Sequence, residues 1–425
     1  MSEVFSSLYL KDSLVRTHSV AVFDCEYPHV LNSLSQLGKR GIRLDLYSHR
    51  RLPAGFFSHR AARRARCPDP ASFDEFSSWL RERLLSGEIQ RVLPSSDLIV
   101  FHCAELRDLF TPEVRSVTPT TQEVERAVFK PLFYEACSES GIGVPVTMLP
   151  RSKEEALTMA DQIGYPVLIK PKTHIGIGMD YRGAIVRSRE ELSAALHPLP
   201  VAELWRQRLK HWIDLQWPML QQYLPEAGQR VYNVSGYVDE TSGVIALGGA
   251  CKTSHFPPGI GIGASCEVSE SPPLLDAATK IATRVLRNGL FDVEFIEHAG
   301  KMLAIDFNPR LGALASFDIA RGNDLPWLWY QATLGQCPAV QPPPKGGLTW
   351  RHEVPFHMSR VVHLLRGPGR AKLLEEYRQC LRQPSISVVE QADFLPRWIH
   401  RMGMFRHPRY LWRVLWADQS KIISG

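Results

Sequence analysis

The sequence predicts an α/β protein with more than one domain. Apolar strand-like runs alternate with helical patterns in the N-terminal third, which indicates a parallel sheet. Farther along, two apolar strands joined by a short connection predict a β-hairpin. The 425 residues exceed what one ordinary core accommodates, so we expect two or three domains.

Composition indicates a soluble globular protein, with 44% hydrophobic and 22% charged residues. No apolar run reaches the ~20 residues of a membrane span, and the first residues lack a signal-peptide pattern, so we expect a cytoplasmic protein. The eight cysteines are scattered without CxxC or zinc-type spacing, and we expect reduced thiols.

The net charge of +6 is concentrated at the C-terminal end of the chain. Residues 351–425 hold 13 Lys+Arg against 6 Asp+Glu, whereas residues 1–350 hold 37 against 38. Global charge is therefore no argument for nucleic-acid binding, although the tail offers a local contact for an anionic surface.

Residues 1–120 are predicted to form a Rossmann-like lobe. The elements, in chain order, are a strand at 18–24, a helix at 29–39, a strand at 42–47, a helix that follows the N-cap Ser72, and a strand at 91–94. The GxGxxG pattern is missing, so dinucleotide binding is not predicted. Asp97 follows the last strand, where ligands often meet such sheets, and a turn-forming aspartate is the alternative.

Residues 121–218 contain a lysine and a glycine pattern that favour an anion site. The predicted elements are a helix at 130–140, a strand at 144–148, a helix at 153–163 with a capping box of Ser152 and Glu155, and a helix at 200–217. YPVLIK is a strand that ends in Lys170, a poor position for a core residue and a good one for binding an anion. In the glycine loop (173–180), Gly176 and Gly178 let backbone amides approach a phosphate. A lone GxG usually marks only a turn.

Two segments near residues 218–265 are predicted to border a ligand. Residues 218–225, PMLQQYLP, here called the hinge segment, resemble the hinge of ATP-grasp enzymes that holds adenine. The resemblance implies an extended edge whose backbone contacts the purine, with Leu220 and Leu224 on either side of the ring. Strands are predicted at 230–238 and 244–249. Residues 251–265 hold Pro-Pro and spaced glycines, so they are predicted to form a shaped loop and not a central strand. Lys252 in that loop is a candidate to counter negative charge, against the alternative of a surface lysine.

The segment 290–312, LFDVEFIEHAGKMLAIDFNPRLG, carries the main site prediction. If the strands at 293–296 and 302–307 are symmetric about Gly300, Glu294 faces Asp306, and Asn308 shares its face. Opposed carboxylates repel unless a cation lies between them, and two carboxylates with an amide suit Mg²⁺. Arg310 follows, suited to a phosphoryl or carboxylate oxygen. For each residue alone, the alternative is a solvated side chain at a strand end.

The remaining chain is predicted to be mostly helical. A helix at 276–288, ended by Asn288-Gly289, leads into the hairpin, and helices follow it at 311–330. QPPPKGG at 341–347 is the clearest boundary. A strand at 348–355, one helix at 359–381 and a stretch of alternating arginines and aromatic residues at 394–416 complete the chain. That stretch fits a membrane surface, nucleic acid or a helix packed on the body, and Pro408 favours packing because it interrupts any long amphipathic helix.

The run from Glu294 through Asp306 and Asn308 to Arg310 resembles the metal-binding hairpin of the ATP-grasp superfamily. Biotin carboxylases and carbamoyl-phosphate synthases carry Glu, Glu, Asn and Arg at this spacing, so Asp306 is a departure that keeps the charge. YPVLIK and the glycine loop resemble the nucleotide-binding strand and flap of the same superfamily. Gln221 stands where an acidic hinge residue is usual. The resemblance covers about residues 120–335, and more loosely the N-terminal lobe.

The resemblance implies an organisation and a set of site residues. It implies a pre-ATP-grasp lobe at 1–120, a small lobe at 121–218, a large lobe at 219–340 and a C-terminal extension at 348–425. The implied residues are Glu294, Asp306 and Asn308 for Mg²⁺ or Mn²⁺; Lys130, Lys170, Gly176, Gly178, Gln221, Gln222, Tyr223 and Leu224 for ATP; and Arg310 and Lys252 for catalysis.

The resemblance also implies a carboxylate–amine ligase that forms an amide or peptide bond through an acyl phosphate and releases ADP and phosphate. Its partners are then a small carboxylic acid and an amine, with an amino acid expected, no nucleic acid, and a homodimer as an option. One alternative is a bicarbonate-using enzyme like carbamoyl-phosphate synthase or a carboxylase, which the lack of a glutaminase domain and of a biotinyl Met-Lys-Met segment weakens. The other is a non-catalytic nucleotide-binding regulator, which the complete ligand set disfavours.

Overall fold

The structure is a computed structural model that describes residues 19–175, 183–199, 215–225, 231–256, 262–336, 347–366 and 370–403. Helices and strands are mixed throughout, so the predicted α/β class is confirmed. In the described part of the chain, no helix is both long and apolar enough to span a bilayer. The strands are β1 (Val20–Val22), β2 (Leu44–Ser48), β3 (Ala61–Arg66), β4 (Thr147–Met148), β5 (Val167–Lys170), β6 (Ala184–Val186), β7 (Met219–Gln222), β8 (Val231–Asp239), β9 (Gly243–Phe256), β10 (Ile262–Val268), β11 (Gly289–His298), β12 (Lys301–Asn308), β13 (Thr349–Arg351) and β14 (Ser385–Ser387).

The helices begin with α1 in the N-terminal lobe and end with α14 near residue 403. They are α1 (Pro28–Lys39), α2 (Phe73–Leu85), α3 (Asp97–Glu105), α4 (Pro112–Ser116), α5 (Thr121–Val128), α6 (Lys130–Glu139), α7 (Lys153–Ile163), α8 (Arg189–Ala195), α9 (Pro272–Val285), α10 (Ala315–Arg321), α11 (Leu325–Ala332), α12 (Glu353–Arg366), α13 (Arg370–Arg382) and α14 (Phe394–Gly403). Short 3₁₀ turns lie at Ala54–Phe57 and Arg107–Leu109.

The N-terminal sheet has the parallel order β1-β2-β3. The strand predicted at 91–94 is reduced to a single parallel bridge, in which Ala21 N donates to Arg91 O and Leu93 N donates to Ala21 O. The chain then turns into α3, whose first turn is capped by the Ser96 hydroxyl. The carboxyl ends of β1 and of this bridge therefore meet at one edge of the sheet, at Asp24 and at residues 95–97.

The small sheet has the antiparallel order β4-β7-β5-β6. Ala156 and Ala160 of α7 and Leu192 of α8 pack on one face of it, together with Val167 and Ile169. Because side chains alternate along β5, Lys170 and Leu168 lie on the opposite face. The small sheet thus turns the end of β5 towards the large sheet.

The large sheet has the order β12-β11-β8-β9-β10-β13-β14 and is antiparallel except for the last pair. One face is apolar and packs against α5, α6 and α9 through residues such as Val234, Phe291 and Phe307. The other face carries Asn233, Ser235 and Asp292, which are buried and polar. Polar residues on a buried sheet face need partners, and these provide the wall of the candidate site described below.

Three predicted elements are wrong. Residues 251–256 and 262–265 belong to β9 and β10, which pair with each other, so the segment predicted as a loop is mostly strand. Helix α9 ends at Val285, and Gly289, with φ of +128°, begins β11 and does not cap the helix. The single helix predicted at 359–381 is two helices, α12 and α13.

Some predictions fall outside the described residues. They are the helix at 200–217 up to residue 214, the glycine loop from residue 176 to residue 180, the boundary at 341–347 except for its last residue, and the tail beyond residue 403.

Candidate active site

The hairpin of β11 and β12 brings Glu294 opposite Asp306, as predicted, but by another route. The turn is the two-residue Ala299-Gly300, both with positive φ, and it pairs His298 with Lys301. A regular hairpin with this turn would place Glu294 opposite Ile305. A register shift after Glu294 makes Ile305 an extra residue, so Asp306 moves into the opposing position. The predicted symmetry about Gly300 is therefore wrong, although the predicted pair is right.

Each of the two opposed carboxylates is paired with a lysine. Lys252 Nζ lies 2.7 Å from Glu294 Oε1, and Lys130 Nζ lies 2.5 Å from Asp306 Oδ1. Lys252 comes from β9, and Lys130 begins α6, where its backbone N–H donates to Lys172 O. The lysines neutralise carboxylates that would otherwise repel each other across the strands.

The lysines also set the ionisation of the site. Burial would raise the pKa of Asp306, but the charge of Lys130, followed by that of His174, outweighs burial and lowers this pKa to about 2. Burial would lower the pKa of Lys252, yet Glu294 raises it above its usual range. Asp306 and Lys252 are therefore ionised at neutral pH.

Lys170 is in a different position, because it makes no ion pair with any described carboxylate. Its Nζ donates to Gln221 Oε1 at 3.3 Å. Burial and then the neighbouring charge of Lys130 lower the pKa of Lys170 to about 8. His174 also has a lowered pKa, because of burial and then Lys130. A half-buried cation whose acceptor among the described residues is a neutral amide, and which lies next to a second cation, suits an anionic ligand.

Arg310 connects the hairpin to the N-terminal lobe. Its Nη2 donates to Asn308 Oδ1 at 3.0 Å, and its Nε lies 2.9 Å from Asp97 Oδ1 at the start of α3. The backbone also joins the two parts, since Leu311 N donates to Pro94 O. Asp97, which the sequence left open between a ligand contact and a turn residue, is thus the partner of Arg310.

Asp292 holds Asn308 from the other side. Asn308 Nδ2 donates to Asp292 Oδ1 at 3.2 Å, and Asn233 Nδ2 donates to Asp292 Oδ2 at 3.0 Å. Burial, and then the charge of Glu294, raise the pKa of Asp292 to about 6. Gly312 makes this close packing possible, because a Cβ there would lie 2.0 Å from Asp292 Oδ2.

The donor set fits a magnesium ion better than a transition metal. In the described ranges, no group of three or more His, Cys, Asp or Glu side chains is placed to hold a metal. The hairpin instead offers two carboxylates and the Asn308 amide. These hard oxygen donors suit Mg²⁺, which binds through one or two carboxylates and fills its other positions with water and substrate phosphates.

Comparison with known proteins gives sequence relatives and solved structures with the same fold. No family model matches the chain. It is 29% identical over 213 residues to the carbamoyl phosphate synthase large chain of Archaeoglobus fulgidus. The match covers 46% of this chain and 18% of that protein. It is 26% identical over 241 residues to the same protein of Pyrobaculum aerophilum, 52% of this chain and 21% of the relative. The chain therefore matches a minor part of each relative.

Solved structures cover more of the chain. The biotin carboxylase domain of Hydrogenobacter thermophilus 2-oxoglutarate carboxylase has a TM-score of 0.59 at 16% identity, covering 78% of this chain and 73% of that one. The carboxyaminoimidazole ribonucleotide synthase of Aspergillus clavatus, complexed with ATP, has a TM-score of 0.58 at 12% identity, covering 83% of this chain and 88% of that one. The L-amino acid ligase of Bacillus licheniformis has 0.54 at 12% identity, covering 74% of each chain. The relatives and these neighbours are all ATP-grasp proteins.

The chain has the same ATP-grasp fold as these solved structures. Its lysines, carboxylates and Arg310 lie where the β5 end, the hairpin and the N-terminal lobe meet. Of the predicted residues, Lys130, Lys170, Lys252, Glu294, Asp306, Asn308 and Arg310 come together in this one region. Gly176 and Gly178 lie outside the described residues.

The side chains of the hinge segment are placed differently from the prediction. Gln221 is buried, and its Nε2 donates to Tyr134 OH at 2.9 Å and to Thr147 Oγ1 at 3.0 Å. Leu220 packs with α7 behind the small sheet, whereas Leu224 packs with Val231, Ile296 and Ile305. The predicted sandwich of a purine between Leu220 and Leu224 is therefore wrong. Gln222 pairs with Val167, and Tyr223 follows the strand.

Sequence reasoning missed Asp292, Asn233 and His174. Asp292 had a signal, because it is an acidic residue on a buried strand two positions before Glu294, where alternation places it on the same face. His174 lay inside the glycine loop but was considered only as part of its backbone. Asn233 had no signal, since only the pairing of β8 with β11 places it beside Asp292.

Proposed function

We propose that the chain is an ATP-dependent carboxylate–amine ligase that forms an amide or peptide bond and releases ADP and phosphate. One observation carries the proposal: two opposed carboxylates, each paired with a lysine, lie beside Lys170, which makes no ion pair within the described residues, and beside an arginine that reaches the N-terminal lobe. The named activities of the neighbours, among them an L-amino acid ligase, support this class of reaction.

The proposed metal ligands are Glu294, Asp306 and Asn308. When bound there, Mg²⁺ supplies positive charge that neutralises and aligns phosphate oxygens. Asp292 fixes the orientation of Asn308, so that the amide oxygen stays available to the metal or to Arg310. Lys130 keeps Asp306 ionised before any ligand binds, and Lys252 is paired with Glu294.

The proposed phosphate contacts are Lys130, Lys170 and the amides at Gly176 and Gly178. Lys170 contributes most to the preference for phosphate, because in the described residues its acceptor is a neutral amide. Adenine is expected along the backbone of Tyr223 and Leu224, directly after Gln222 at the end of β7, a strand that lies between β4 and β5 in the small sheet. Gln221 positions Lys170 through its side-chain oxygen and does not face the ring.

The proposed reaction has two steps. An oxygen of the substrate carboxylate attacks the γ-phosphorus of ATP and the bond to ADP breaks, which gives an acyl phosphate. The amine then attacks the acyl carbon, phosphate leaves, and the surplus proton of the amine goes to solvent. Arg310 stabilises the charge that develops on the transferred group, and Lys252 is proposed to assist it from the other side of the hairpin.

A second candidate is a bicarbonate-using reaction. The sequence relatives are named carbamoyl phosphate synthase, and one neighbour is a biotin carboxylase domain described with bicarbonate. In this case bicarbonate takes the place of the carboxylic acid, and the same residues hold ATP and metal. A homodimer and the cytoplasmic location stay predictions.

The test is release of ADP and phosphate from Mg·ATP with pooled carboxylic acids crossed with pooled amines, followed by mass analysis. A product heavier than its acid by the amine minus water supports the ligase and identifies both substrates. Release only with bicarbonate and ammonia would favour the second candidate. If neither any acid and amine pair nor bicarbonate with ammonia stimulated release, both candidates would be contradicted.

The role of the hairpin is tested with Glu294→Gln. We expect turnover to fall by about a hundredfold or more, because the variant loses a charged metal ligand. The matched control is Glu297→Gln, on the same strand, where the side chain accepts from Tyr232 OH outside the site. Normal turnover in Glu294→Gln would remove the hairpin from the mechanism.

A further inference from the structure

Exposed apolar side chains collect on two segments that pack against each other. Helix α14 lies on the 3₁₀ turn at Ala54–Phe57, and the two are held together by polar contacts of Asp393 with Ser58 and His59. Pro396 and Ile399 of α14 face inward. The sequence prediction that this helix packs on the body is therefore right for one of its faces.

The outward face of α14 is apolar. Phe394 is 81% exposed, Trp398 54% and Met402 45%, at helical spacing along one side. Leu395 is exposed beside them, and Leu52 and Phe57 are exposed on the neighbouring segment. Six of the thirteen large apolar side chains that are exposed in the described structure thus lie on these two short segments. An apolar patch of this kind on one face usually marks an interaction site.

The same segment is strongly basic. Residues 46–68 contain six arginines, at positions 50, 51, 60, 63, 64 and 66, and no acidic residue. Two of these arginines are paired with acidic residues outside the segment, Arg50 with Glu26 and Arg63 with Glu88. Arg51 and Arg66 are exposed and form no ion pair with any residue that the structure describes. Arg64 is tied to the turn, since its Nε donates to Phe56 O and its Nη2 to Ser58 O. Positive charge is therefore fixed next to the apolar side chains.

The sequence continues this pattern beyond α14. Residues 404–425 hold Arg406, Arg409, Arg413 and Lys421 against a single acidic residue, together with four aromatic residues at positions 405, 410, 412 and 416. Chain of this composition begins directly at the end of the exposed apolar face. Basic residues interleaved with Trp, Phe and Leu are the composition of segments that lie in a membrane interface.

The chemistry selects one partner among three. A second copy of the chain would bring two arginine-rich surfaces together, and like charges repel. Nucleic acid would use arginines and aromatic rings, but it leaves Leu52, Leu395 and Met402 without a role. A bilayer with anionic headgroups accommodates both features, because apolar side chains enter the interface while arginines meet lipid phosphates. Arginines on the exposed edge strand β3 also hinder strand pairing, but that does not explain the adjacent Phe394 and Trp398.

We propose that residues 50–66 and helix α14 form a surface that docks the protein peripherally on anionic lipid bilayers. The apolar side chains of Phe394, Trp398, Met402 and Leu52 insert at the interface. Arg51 and Arg66 provide the dependence on headgroup charge.

The experiment is sedimentation of the full chain with vesicles of phosphatidylcholine, with and without phosphatidylglycerol. We expect binding only to the vesicles with phosphatidylglycerol, and weaker binding as salt rises. The double variant Phe394→Glu with Trp398→Glu should lose binding. Arg51→Glu with Arg66→Glu should weaken binding by roughly tenfold or more, because each basic residue near an anionic surface contributes to the affinity.

Matched controls come from α2. Leu85 is 69% exposed and Arg81 is also exposed. Leu85→Glu and Arg81→Glu therefore change similar side chains outside the proposed docking surface, and both variants should bind vesicles like the wild type. Equal melting temperatures of all variants exclude misfolding.

Three results would overturn the proposal. They are equal binding to neutral and anionic vesicles, no effect of the Phe394 and Trp398 changes, and absence of vesicle binding. In the last case, a dimer or a complex with single-stranded nucleic acid that the same variants abolish would identify one of the other partners.

Discussion

Lys170 makes nucleotide affinity depend on pH. Its pKa is lowered to about 8, chiefly by burial, so the free protein loses this charge as pH rises through 8. Phosphate favours the charged form, so binding above pH 8 takes up a proton. We expect the Kd for Mg·ATP to be constant below about pH 7 and to rise by about tenfold per pH unit above 8. Calorimetric titration at several pH values measures this.

Two variants separate Lys170 from other lysines. Lys170→Ala should bind weakly at all pH values, with a flat profile between 7 and 9. Lys301→Ala changes an exposed lysine on β12 and should keep the wild-type profile. A wild-type rise in Kd that persists in Lys170→Ala would assign the effect to another group.

Gly312 is the residue whose substitution should disturb Asn308 indirectly. A Cβ at this position would meet Asp292 Oδ2 at 2.0 Å, so the carboxylate would have to leave Asn308 and Asn233. We expect Gly312→Ala to lose about 1–3 kcal/mol of stability and to bind Mg²⁺ about tenfold more weakly in the presence of ATP.

The control for this substitution is Gly41→Ala. Gly41 has φ of +77° and no atom near its Cβ position, so the variant should lose stability through backbone strain alone. Its Mg²⁺ affinity should equal that of the wild type. Unchanged Mg²⁺ affinity in Gly312→Ala would mean that Asp292 does not orient a metal ligand.

For single residues, the sequence predicted which side chains belong to the candidate site but not which side chains they contact. Glu294, Asp306 and Lys170 could be singled out because each is polar beside apolar strand residues. Their pairing with Lys252, Lys130 and Gln221 depends on contacts between distant parts of the chain, which local patterns do not contain. Lys252 illustrates this, because it was expected on a loop and lies on β9.

Elements that were predicted correctly mostly carry local signals, as α7 does after its N-cap Ser152. Helix α5 was not predicted, although it carries such a signal: Thr120 and Glu123 form a reciprocal capping box in which Thr120 N donates to Glu123 Oε2 at 2.8 Å. The predicted box of Ser152 and Glu155 is only half formed, because Glu155 accepts from Arg151 N instead of Ser152 N. We expect Thr120→Ala to reduce the free energy of unfolding by about 1 kcal/mol, measured by urea denaturation.

Ser72 provides the control for this prediction. It is the N-cap of α2, but its hydroxyl makes no capping hydrogen bond, so Ser72→Ala should change stability by only a few tenths of a kcal/mol. Equal losses in both variants would show that the capping bond of Thr120 does not contribute.

Some elements were predicted wrongly because their local signals conflict with the packed structure. The segment 251–265 contains Pro and Gly, which argue against a strand, yet its two flanks pair across five residues that the structure does not describe. The register of the hairpin depends on Ile305, an apolar residue that looks like any other strand residue in the sequence. Its position outside the regular ladder is set by packing with Leu224, Val231 and Ile296.

On the scale of the whole molecule, the candidate site depends on three parts of the chain. Lys170 belongs to the small sheet, Glu294 and Asp306 to the large sheet, and Asp97 to the N-terminal lobe that holds Arg310. The sequence predicted each part, because their motifs are local. How closely the parts approach one another follows only from the packed structure.

A ligand that contacts all three parts should stabilise them together. At about a hundredfold excess over its Kd, Mg·ATP should add about 2.7 kcal/mol to the free energy of unfolding, seen as a raised melting temperature. EDTA should remove most of this gain, because the carboxylates need the metal to accept phosphates. The melting temperature of Asp306→Asn should rise equally with Mg·ATP and with ATP plus EDTA. If the wild type gained equally with and without metal, ATP would bind without the hairpin, and the proposed metal ligands would have no part in holding it.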